Sequence, residues 1–316
     1  MSKKLYKYIG PDHIDKIFSS HEEVTLKCSQ PRDFNDPYEL FLTTDFNIDP
    51  ESLAVYAEAV GELPQLPTTC FSSSPTVVPM WAHYAQTHQG FVLEFSEDEI
   101  ARTLPEFQIE SVRYSDQPLD DFSDLIARVV HIAKPRYTYF LQRAIFNAAY
   151  FTKASCWSYE QERRLIVRPS AVREPSGLML LDLPATALTN IICGARASEE
   201  TKARLQEISN SLGSGYYELR IGKSSSTPFL VDIDGQSSYF NGNEIAISTL
   251  WCQECLEPLA SVQEKCSWCQ IDDDMRLYAA SRNPYRILDR LGTLEDYVRE
   301  MDAISSGRRR TLAEES

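Results

Sequence analysis

The sequence predicts an α+β protein followed by a small metal-binding module and a helical tail. Short β-prone runs alternate with segments of helical period up to about residue 222, two C-x2-C pairs follow, and helical segments resume after them. With 316 residues, of which 43% are hydrophobic, the chain can bury a sizeable core. We predict a mixed α+β domain over residues 1–245 that carries any catalytic site, a zinc ribbon over 246–272 and a tail with a frayed end over 273–316.

Apolar periodicity and turn-forming residues predict the individual elements. Strands are expected over residues 5–8, 24–28, 68–72, 90–95, 109–114, 178–183 and 191–194. Helices are expected over 12–19, over 199–212 and between 121 and 152, with a break at Pro135. Residues 229–250 are expected to form a hairpin. Asn283-Pro284 and Thr293 mark two helix starts in the tail, because Asn and Thr cap helices and Pro suits the first turn.

The charge of the chain narrows its partners. Its 46 acidic residues against 31 basic ones give a net charge of −15, which disfavours general binding of duplex DNA or of a membrane surface. No apolar run approaches the 18 residues of a membrane span, and the N-terminal residues lack an apolar signal region. We therefore expect a cytoplasmic protein with no membrane partner.

The two cysteine pairs predict a zinc site. Cys252 and Cys255 form one C-x2-C pair, Cys266 and Cys269 form the second, and ten residues separate them. Four thiolates at this spacing complete a tetrahedral shell, which leaves no position for a catalytic water. The zinc is therefore expected to be structural. From sequence the ribbon serves as a scaffold, contacts a protein or contacts nucleic acid, although Lys265 is the one basic residue of the intervening loop.

The segment from Trp157 to Val167 concentrates charge beside an apolar, β-prone run. If the segment is a strand, Glu160, Glu162 and Arg164 share one face. Two carboxylates on one face repel, so a fold that gathers them beside a cleft usually uses them. Two other interpretations stay open: a solvated strand edge with cross-strand ion pairs, or a helix in which Glu160 and Arg164 are an i,i+4 pair.

Several short motifs, taken in order, resemble the bacterial domain-of-unknown-function family 2971. They are Leu5-Tyr6-Lys7-Tyr8, Phe34-Asn35-Asp36-Pro37-Tyr38-Glu39, Cys70-Phe71-Ser72, Met80-Trp81-Ala82-His83-Tyr84-Ala85, Gly90-Phe91-Val92-Leu93-Glu94-Phe95 and Trp157-Ser158-Tyr159-Glu160-Gln161-Glu162. The resemblance covers roughly residues 5 to 200. The chain departs from the family at Arg163, where members usually carry an aromatic residue. The ribbon and tail lie outside the resemblance.

The same order is similar to that of ADP-ribosyltransferases of the arginine–serine–glutamate type. Such enzymes have a basic residue after Leu-Tyr on a first strand, a serine beside an aromatic residue on a second, and Glu-x-Glu on a third. Here Lys7, Ser72 and the pair Glu160/Glu162 follow that order. The resemblance implies a split antiparallel sheet and NAD as the substrate. Lys in the first motif, followed by Tyr8, departs from the usual Arg or His followed by a small residue.

The resemblance also implies roles. Glu162 would bind the ribose hydroxyls beside the positive charge that develops when the nicotinamide bond breaks. Glu160 would orient or deprotonate the acceptor, Ser72 would brace Glu162, and Lys7 would neutralise the pyrophosphate. Tyr84 or Trp81 would stack on nicotinamide. The set of expected cofactor-binding residues is completed by Tyr8, Asn35, Asp36 and Arg164.

The loop that carries Asn35 and Asp36 has two interpretations. Pro37 fixes the turn, and the two polar side chains then offer contacts to a ligand. Alternatively, Asp36 forms an Asx turn that bonds its own backbone.

The leading hypothesis is an NAD-cleaving ADP-ribosyltransferase, a toxin or phage-defence effector that modifies nucleic acid or protein. The alternative is a non-catalytic module of a defence system that recognises a ligand or partner. A third hypothesis is a nuclease in which Asp36, Glu39, Glu160 and Glu162 hold magnesium. NAD as substrate and zinc as structural ion are the expected small-molecule partners.

Overall fold

The computed structural model describes residues 3–38, 45–104, 106–118 and 122–314. The chain divides into two compact units. The first comprises Met1–Thr249 and Leu256–Pro258, and the second comprises Leu250–Cys255 and Leu259–Ser316. The predicted ribbon and the predicted tail therefore fall largely in one unit.

The first unit contains all the described strands. They are β1 (Lys4–Ile9), β2 (Glu23–Cys28), β3 (Thr68–Ser72), β4 (Phe91–Ser96), β5 (Phe107–Ser111), β6 (Arg113–Tyr114), β7 (Thr152–Lys153), β8 (Glu162–Val167), β9 (Met179–Pro184), β10 (Leu188–Cys193), β11 (Gly215–Arg220), β12 (Phe229–Asp232), β13 (Ser237–Phe240) and β14 (Ile245–Ile247). The expected hairpin over 229–250 is a three-strand meander, β12–β14. The expected strand over 109–114 is two strands that meet at Val112.

Ten strands form the main sheet of the described residues, in the order β14-β13-β12-β11-β10-β4-β1-β3-β8-β5. Every neighbouring pair is antiparallel except β10 and β11, which are parallel. Two small sheets pair β2 with β9 and β6 with β7. The mixed α+β class predicted from sequence is confirmed.

Helices connect the strands and form the tail. In the first unit they are α1 (Ile14–Ile17), α2 (Pro50–Val60), α3 (Val78–His83), α4 (Glu97–Thr103), α5 (Ser123–Ile132), α6 (Pro135–Tyr150) and α7 (Glu199–Leu212). In the second they are α8 (Asp273–Ser281), α9 (Pro284–Arg290) and α10 (Leu294–Glu314). Asn283 caps α9 through the backbone N–H of Tyr285, as predicted. Among the described residues, no helix has the length and apolar character needed to cross a membrane.

The main sheet opens between β1 and β3. These strands share one register pair, Tyr6 with Ser72, whereas β1 pairs with β4 along its whole length and β3 pairs with β8 from end to end. The Nζ of Lys7 bridges the opening, donating to Thr69 Oγ1 at 3.0 Å and to the Cys70 carbonyl at 2.8 Å. The opening matters because the cavity described below lies there.

The two faces of the sheet bury different cores. Along β1 the side chains alternate, so that Leu5 packs with one apolar cluster and Tyr6 with the other. The first cluster includes Phe95 and Leu165, and the second includes Trp81. Helices α2, α5 and α6 pack around a third cluster of their own. The site therefore lies in a sheet that is fixed from both sides.

The charged segment is a strand from Glu162 onward, so Glu162 and Arg164 share a face as the strand interpretation predicted, but Glu160 lies outside the strand. Strand β8 begins at Glu162, and Glu160 ends a 3-10 turn over Ser155–Glu160. Between them Gln161 adopts a left-handed conformation with φ of 46°. Glu160, Glu162 and Arg164 are all buried, so the solvated edge is wrong, and Arg164 lies in a strand, so the helical pair is wrong. The left-handed residue turns the chain so that both carboxylates still reach one place.

Candidate active site

The three motif strands are neighbours in the sheet. Strand β3 lies between β1 and β8, and Ser72 is paired with Tyr6 on one side and with Glu162 on the other. Residues directly opposite one another in a sheet point to the same face. Ser72 and Glu162 therefore lie in one row with Tyr6. Lys7, the next residue on β1, points to the opposite face and lines the cavity at the opening between the strands. This register brings together three motifs that are up to 155 residues apart in sequence.

A cavity of about 390 Å³ lies at the opening between β1 and β3. Its volume is within the range typical of small-molecule sites. The predicted site residues that line it are Lys7, Tyr8, Asn35, Ser72, Tyr84, Glu160 and Glu162. Trp81, Asp36 and Arg164 are not among its lining residues. Most of the predicted set therefore converges on one concave site.

Glu162 is held in its ionised form by two cations. Arg164 donates from Nε to Glu162 Oε1 at 2.7 Å, and Lys153 Nζ lies 3.3 Å from Oε2. Burial alone would raise the pKa of Glu162, but Arg164 and then Lys153 outweigh burial and lower it to about 2. Glu162 is therefore a fixed negative charge near neutral pH.

Glu160 has the opposite environment. Its Oε2 accepts from Lys153 Nζ at 2.6 Å, and its Oε1 accepts from the Tyr84 hydroxyl at 2.5 Å. Asn35 in turn donates to that hydroxyl at 2.8 Å. Burial, opposed by Lys153 but reinforced by the nearby charge of Glu162, raises the pKa of Glu160. Two neighbouring carboxylates whose pKa values move apart suit separate roles, one as a lasting charge and one as a proton acceptor.

Lys153 joins the two acids and was missed from the sequence. Its side chain is 4% exposed, bonds both carboxylates and lies 4.5 Å from the centre of the Trp157 ring. The residue directly follows the segment predicted as helix between 121 and 152, where a lysine normally faces water. Strand β7, just two residues long, turns it inward instead. The sequence held one signal for this role: a lysine that follows two aromatic residues and precedes the Glu-x-Glu pair.

Lys7, Ser72 and Tyr8 lie at the cavity with other bonds already in place. Two of the three N–H bonds of the Lys7 ammonium are directed to β3, and burial lowers its pKa. Ser72 Oγ accepts from the Ser74 backbone N–H at 3.2 Å, a bond that shapes the turn after β3. The Tyr8 hydroxyl donates to the Ser74 carbonyl and accepts from Val77 N–H. The bracing of Glu162 by Ser72 stays a prediction.

Three predicted residues lie behind the cavity wall. Trp81 is fully buried, donates from Nε1 to the Pro75 carbonyl and packs edge-on against Tyr8, so of the two aromatic candidates Tyr84 is the one on the cavity. Arg164 is also fully buried and acts on Glu162 rather than on the cavity space.

Asp36 is the third residue behind the wall. Its Oδ1 accepts from the Tyr38 N–H in the Asx turn that was one of its two interpretations. Its Oδ2 is buried without a partner among the described residues.

The lining of the cavity is cationic although the chain is strongly acidic. Lys7, Lys27 and Lys153 line it together with Glu160 and Glu162, and Arg164 lies behind. When all three lysines are protonated they exceed the two glutamates by one charge, which favours an anionic ligand such as a phosphate ester; burial of Lys7 opposes its part of this charge. A magnesium site fits less well, because both glutamates are already bonded to cations and Asp36 lies outside the cavity. Glu39, the fourth expected magnesium ligand, lies outside the described residues.

The four predicted zinc ligands come together in the second unit. The metal-binding atoms of Cys252, Cys255, Cys266 and Cys269 all lie within 4.8 Å of one another. The Sγ atoms of Cys255 and Cys266 are 3.8 Å apart, which is the separation that a tetrahedral ion with Zn–S bonds of about 2.3 Å requires. The donor set and the spacing are therefore compatible with a structural zinc ion.

Comparison with known proteins supports one of the two resemblances. A family model described as "Protein of unknown function (DUF2971)" matches residues 80–165, a stretch that contains Tyr84, Lys153, Glu160 and Glu162. No curated protein and no solved structure matches the chain. The chain is thus similar, over this stretch, to a family whose description states no function. The resemblance to ADP-ribosyltransferases receives no support from these comparisons.

Proposed function

We propose that the first unit is an NAD-cleaving ADP-ribosyltransferase, acting as a toxin or phage-defence effector on nucleic acid or protein. One observation carries the proposal: Lys7, Ser72, Glu160 and Glu162 line one cavity at the opening between β1 and β3. The proposal requires these residues to lie close together, which the order of the motifs in the sequence does not establish. The cationic lining adds support, because a dinucleotide presents two phosphate charges.

The chemistry follows from the environments of the two acids. Cleavage of the bond between nicotinamide and ribose sends the bonding electrons to the nicotinamide nitrogen and leaves a positive charge on the ribose. Glu162, held ionised by Arg164 and Lys153, stabilises that charge. The acceptor then bonds to the ribose carbon, and its proton passes to Glu160. Lys7 and Lys27 neutralise the phosphates, and Tyr84 packs beside the nicotinamide.

Nicotinamide release tests the proposal. Purified protein is incubated with NAD, with and without cell lysate as a source of acceptor, and free nicotinamide is measured by chromatography. We expect Glu162→Gln to lower release by about 10² to 10⁴-fold, the usual cost of losing a positioned catalytic group. Glu110→Gln is the matched control, because Glu110 is an exposed glutamate on the neighbouring strand β5. Equal release by wild type and Glu162→Gln would refute the assignment.

The closed ion network favours a second candidate function. Both carboxylates are bonded to cations within the chain, an arrangement that also suits a non-catalytic module that binds an anionic ligand in this cavity. Calorimetry with NAD and with ADP-ribose separates the two candidates. Saturable binding that Lys7→Gln weakens, without nicotinamide release under any condition, would favour recognition over transfer.

A further inference from the structure

Lys153 occupies a central place between the two acids. It is the one lysine of the described residues whose ammonium bonds both Glu160 and Glu162, at 2.6 and 3.3 Å. Since both carboxylate oxygens contact a single nitrogen, they are at most about 6 Å apart. The Trp157 ring covers the ammonium at a centroid distance of 4.5 Å. The ammonium, which is strongly hydrated when exposed, is thus held almost entirely out of water. Its partners have to offset the free-energy cost of removing that hydration.

Two buried carboxylates this close present a problem that Lys153 resolves. Like charges at such a separation drive one group to take up a proton. Arg164 compensates Glu162, but no contact of Arg164 with Glu160 is seen among the described residues. The ammonium of Lys153 is therefore the cation that serves Glu160, and it also fixes the spacing between the two acids.

We propose that Lys153 is a positioning residue of the transferase reaction, whose ammonium sets the spacing of Glu160 and Glu162 and keeps both ionised when substrate binds. The inference rests on the proposed function and deepens it, because it assigns to one lysine the task of keeping the proton acceptor ready. A purely structural Lys153 would stabilise the fold without affecting the ionisation of either glutamate.

Other groups also face this pair and have to be distinguished from Lys153. Tyr84, at the C-terminal end of α3, and Asn35, in the loop after β2, form a hydrogen-bonded chain to Glu160. From β6, the Tyr114 hydroxyl accepts from the Glu162 backbone N–H, and from β3 the Cys70 thiol helps to lower the pKa of Glu162. Tyr159 lies next to Glu160 in sequence and is influenced by its charge. All of these groups are neutral at pH 7. The other cations near the pair, Arg164 on β8 and Lys7 on β1, act on Glu162, whereas the ammonium bonded to Glu160 is that of Lys153.

The expected pH effect has a definite sign. A nearby cation favours the ionised form of a carboxyl group, so removing the ammonium raises the pKa of Glu160 further above its ordinary value. A larger fraction of Glu160 is then protonated at a given pH and cannot accept a proton. The acidic limb of the rate–pH profile therefore moves to higher pH in a variant without the charge.

The first experiment compares Lys153→Gln with Lys153→Arg, using nicotinamide release between pH 5 and 9. We expect Lys153→Gln to lower kcat at least about tenfold with little change in KM, and to shift the acidic limb upward. Lys153→Arg keeps the charge and should shift the limb less. Thermal unfolding of each variant checks that it is folded. A folded Lys153→Gln variant with an unshifted acidic limb would overturn the proposal.

The second experiment needs no activity, so it separates this proposal from the proposed function. Glutamate side-chain carboxyls are labelled with ¹³C and titrated by NMR, with Glu160→Gln and Glu162→Gln to assign the two signals. A higher titration midpoint for Glu160 in Lys153→Gln supports control of its ionisation by Lys153, whether or not the wild type releases nicotinamide. Absence of nicotinamide release would count against the transferase assignment alone. Unchanged titration midpoints for both glutamates would refute the role proposed for Lys153.

A pair of substitutions that leaves the net charge unchanged provides the test if Lys153→Gln does not fold. The double variant Lys153→Met/Glu160→Gln removes one buried charge of each sign, and it is compared with Glu160→Gln alone. The midpoint of Glu162 should be higher in the double variant, because Arg164 is then its remaining cation. Equal midpoints would count against Lys153 as the residue that controls ionisation.

Discussion

The buried ion network beside the cavity of the first unit and the cysteine cluster of the second unit each consist of four ionisable side chains. In the cavity region two acids, Glu160 and Glu162, are balanced by Lys153 and Arg164 within the chain. In the cluster all four side chains are thiols, which as thiolates would carry the same sign of charge. The first group can therefore form as soon as the chain folds, whereas the second needs a cation from outside.

This difference indicates where chemistry can take place. Beside an open cavity, Glu160 with its raised pKa can exchange a proton with a ligand while Glu162 with its lowered pKa stays charged. Four thiolates around zinc close the coordination shell and leave no position for a substrate. The surer motif in the sequence is thus the structural one, and the less obvious motif carries the candidate chemistry.

The largest expected effect comes from removing the metal. Structural zinc contributes about 10 to 16 kcal/mol to the folding of small zinc modules, so chelation or Cys255→Ser should unfold the region of the cluster. We expect one zinc per chain by elemental analysis, and rapid proteolysis between residues 250 and 272 once zinc is lost. Nicotinamide release should persist, because no catalytic step uses the metal.

Cys156→Ser is the control for this prediction, since Cys156 is an exposed cysteine outside the cluster. It should keep full zinc content and protease resistance. Stoichiometric zinc in Cys255→Ser, or a wild-type protein that binds no zinc, would remove the contrast between the two regions.

A smaller effect is expected from breaking the charge balance at the cavity. Arg164→Met leaves Glu162 with Lys153 as its remaining cation and leaves the Tyr150 carbonyl without the Arg164 donor. Removing one partner of a buried ion pair costs about 3 to 5 kcal/mol, measurable by urea unfolding. Arg168→Met is the control: its ion pair with Glu106 is exposed, and such a pair contributes at most about 1 kcal/mol. Equal losses for both arginines would show that the buried network contributes no more than a surface pair.

The smallest effect concerns the loss of folding stability at acidic pH. The pKa of Glu162 is about 2 in the folded chain against an ordinary value of 4.5, so its ionised form stabilises the fold above pH 4.5. This contribution is on the order of 3 kcal/mol and is lost as the pH falls from 4.5 towards 2. Unfolding free energies measured across this interval should fall less steeply in Glu162→Gln than in wild type. Identical slopes would show that the folded state does not hold Glu162 ionised.

Much of the fold and part of the site followed from local patterns. Strands such as β3 and helix α7 were predicted from hydrophobic period and turn residues, and helix α7 has the predicted bounds, 199–212. The left-handed Gln161 was not predicted, because its φ of 46° reflects tertiary constraint rather than residue preference. Lys153 was missed for a related reason, since its partners are seven and nine residues away across a turn.

Local patterns in the sequence were enough to predict the α+β class, the cluster of four cysteines and the residue types of the candidate site. Each depends on local spacing: four cysteines at fixed intervals predict a tetrahedral site whatever surrounds them. The tertiary structure alone decided that β3 lies between β1 and β8, that the sheet opens beside Tyr6, and that Lys153 joins the two glutamates. Strand order and the burial of a charge depend on the free energy of the whole fold, so no short segment encodes them.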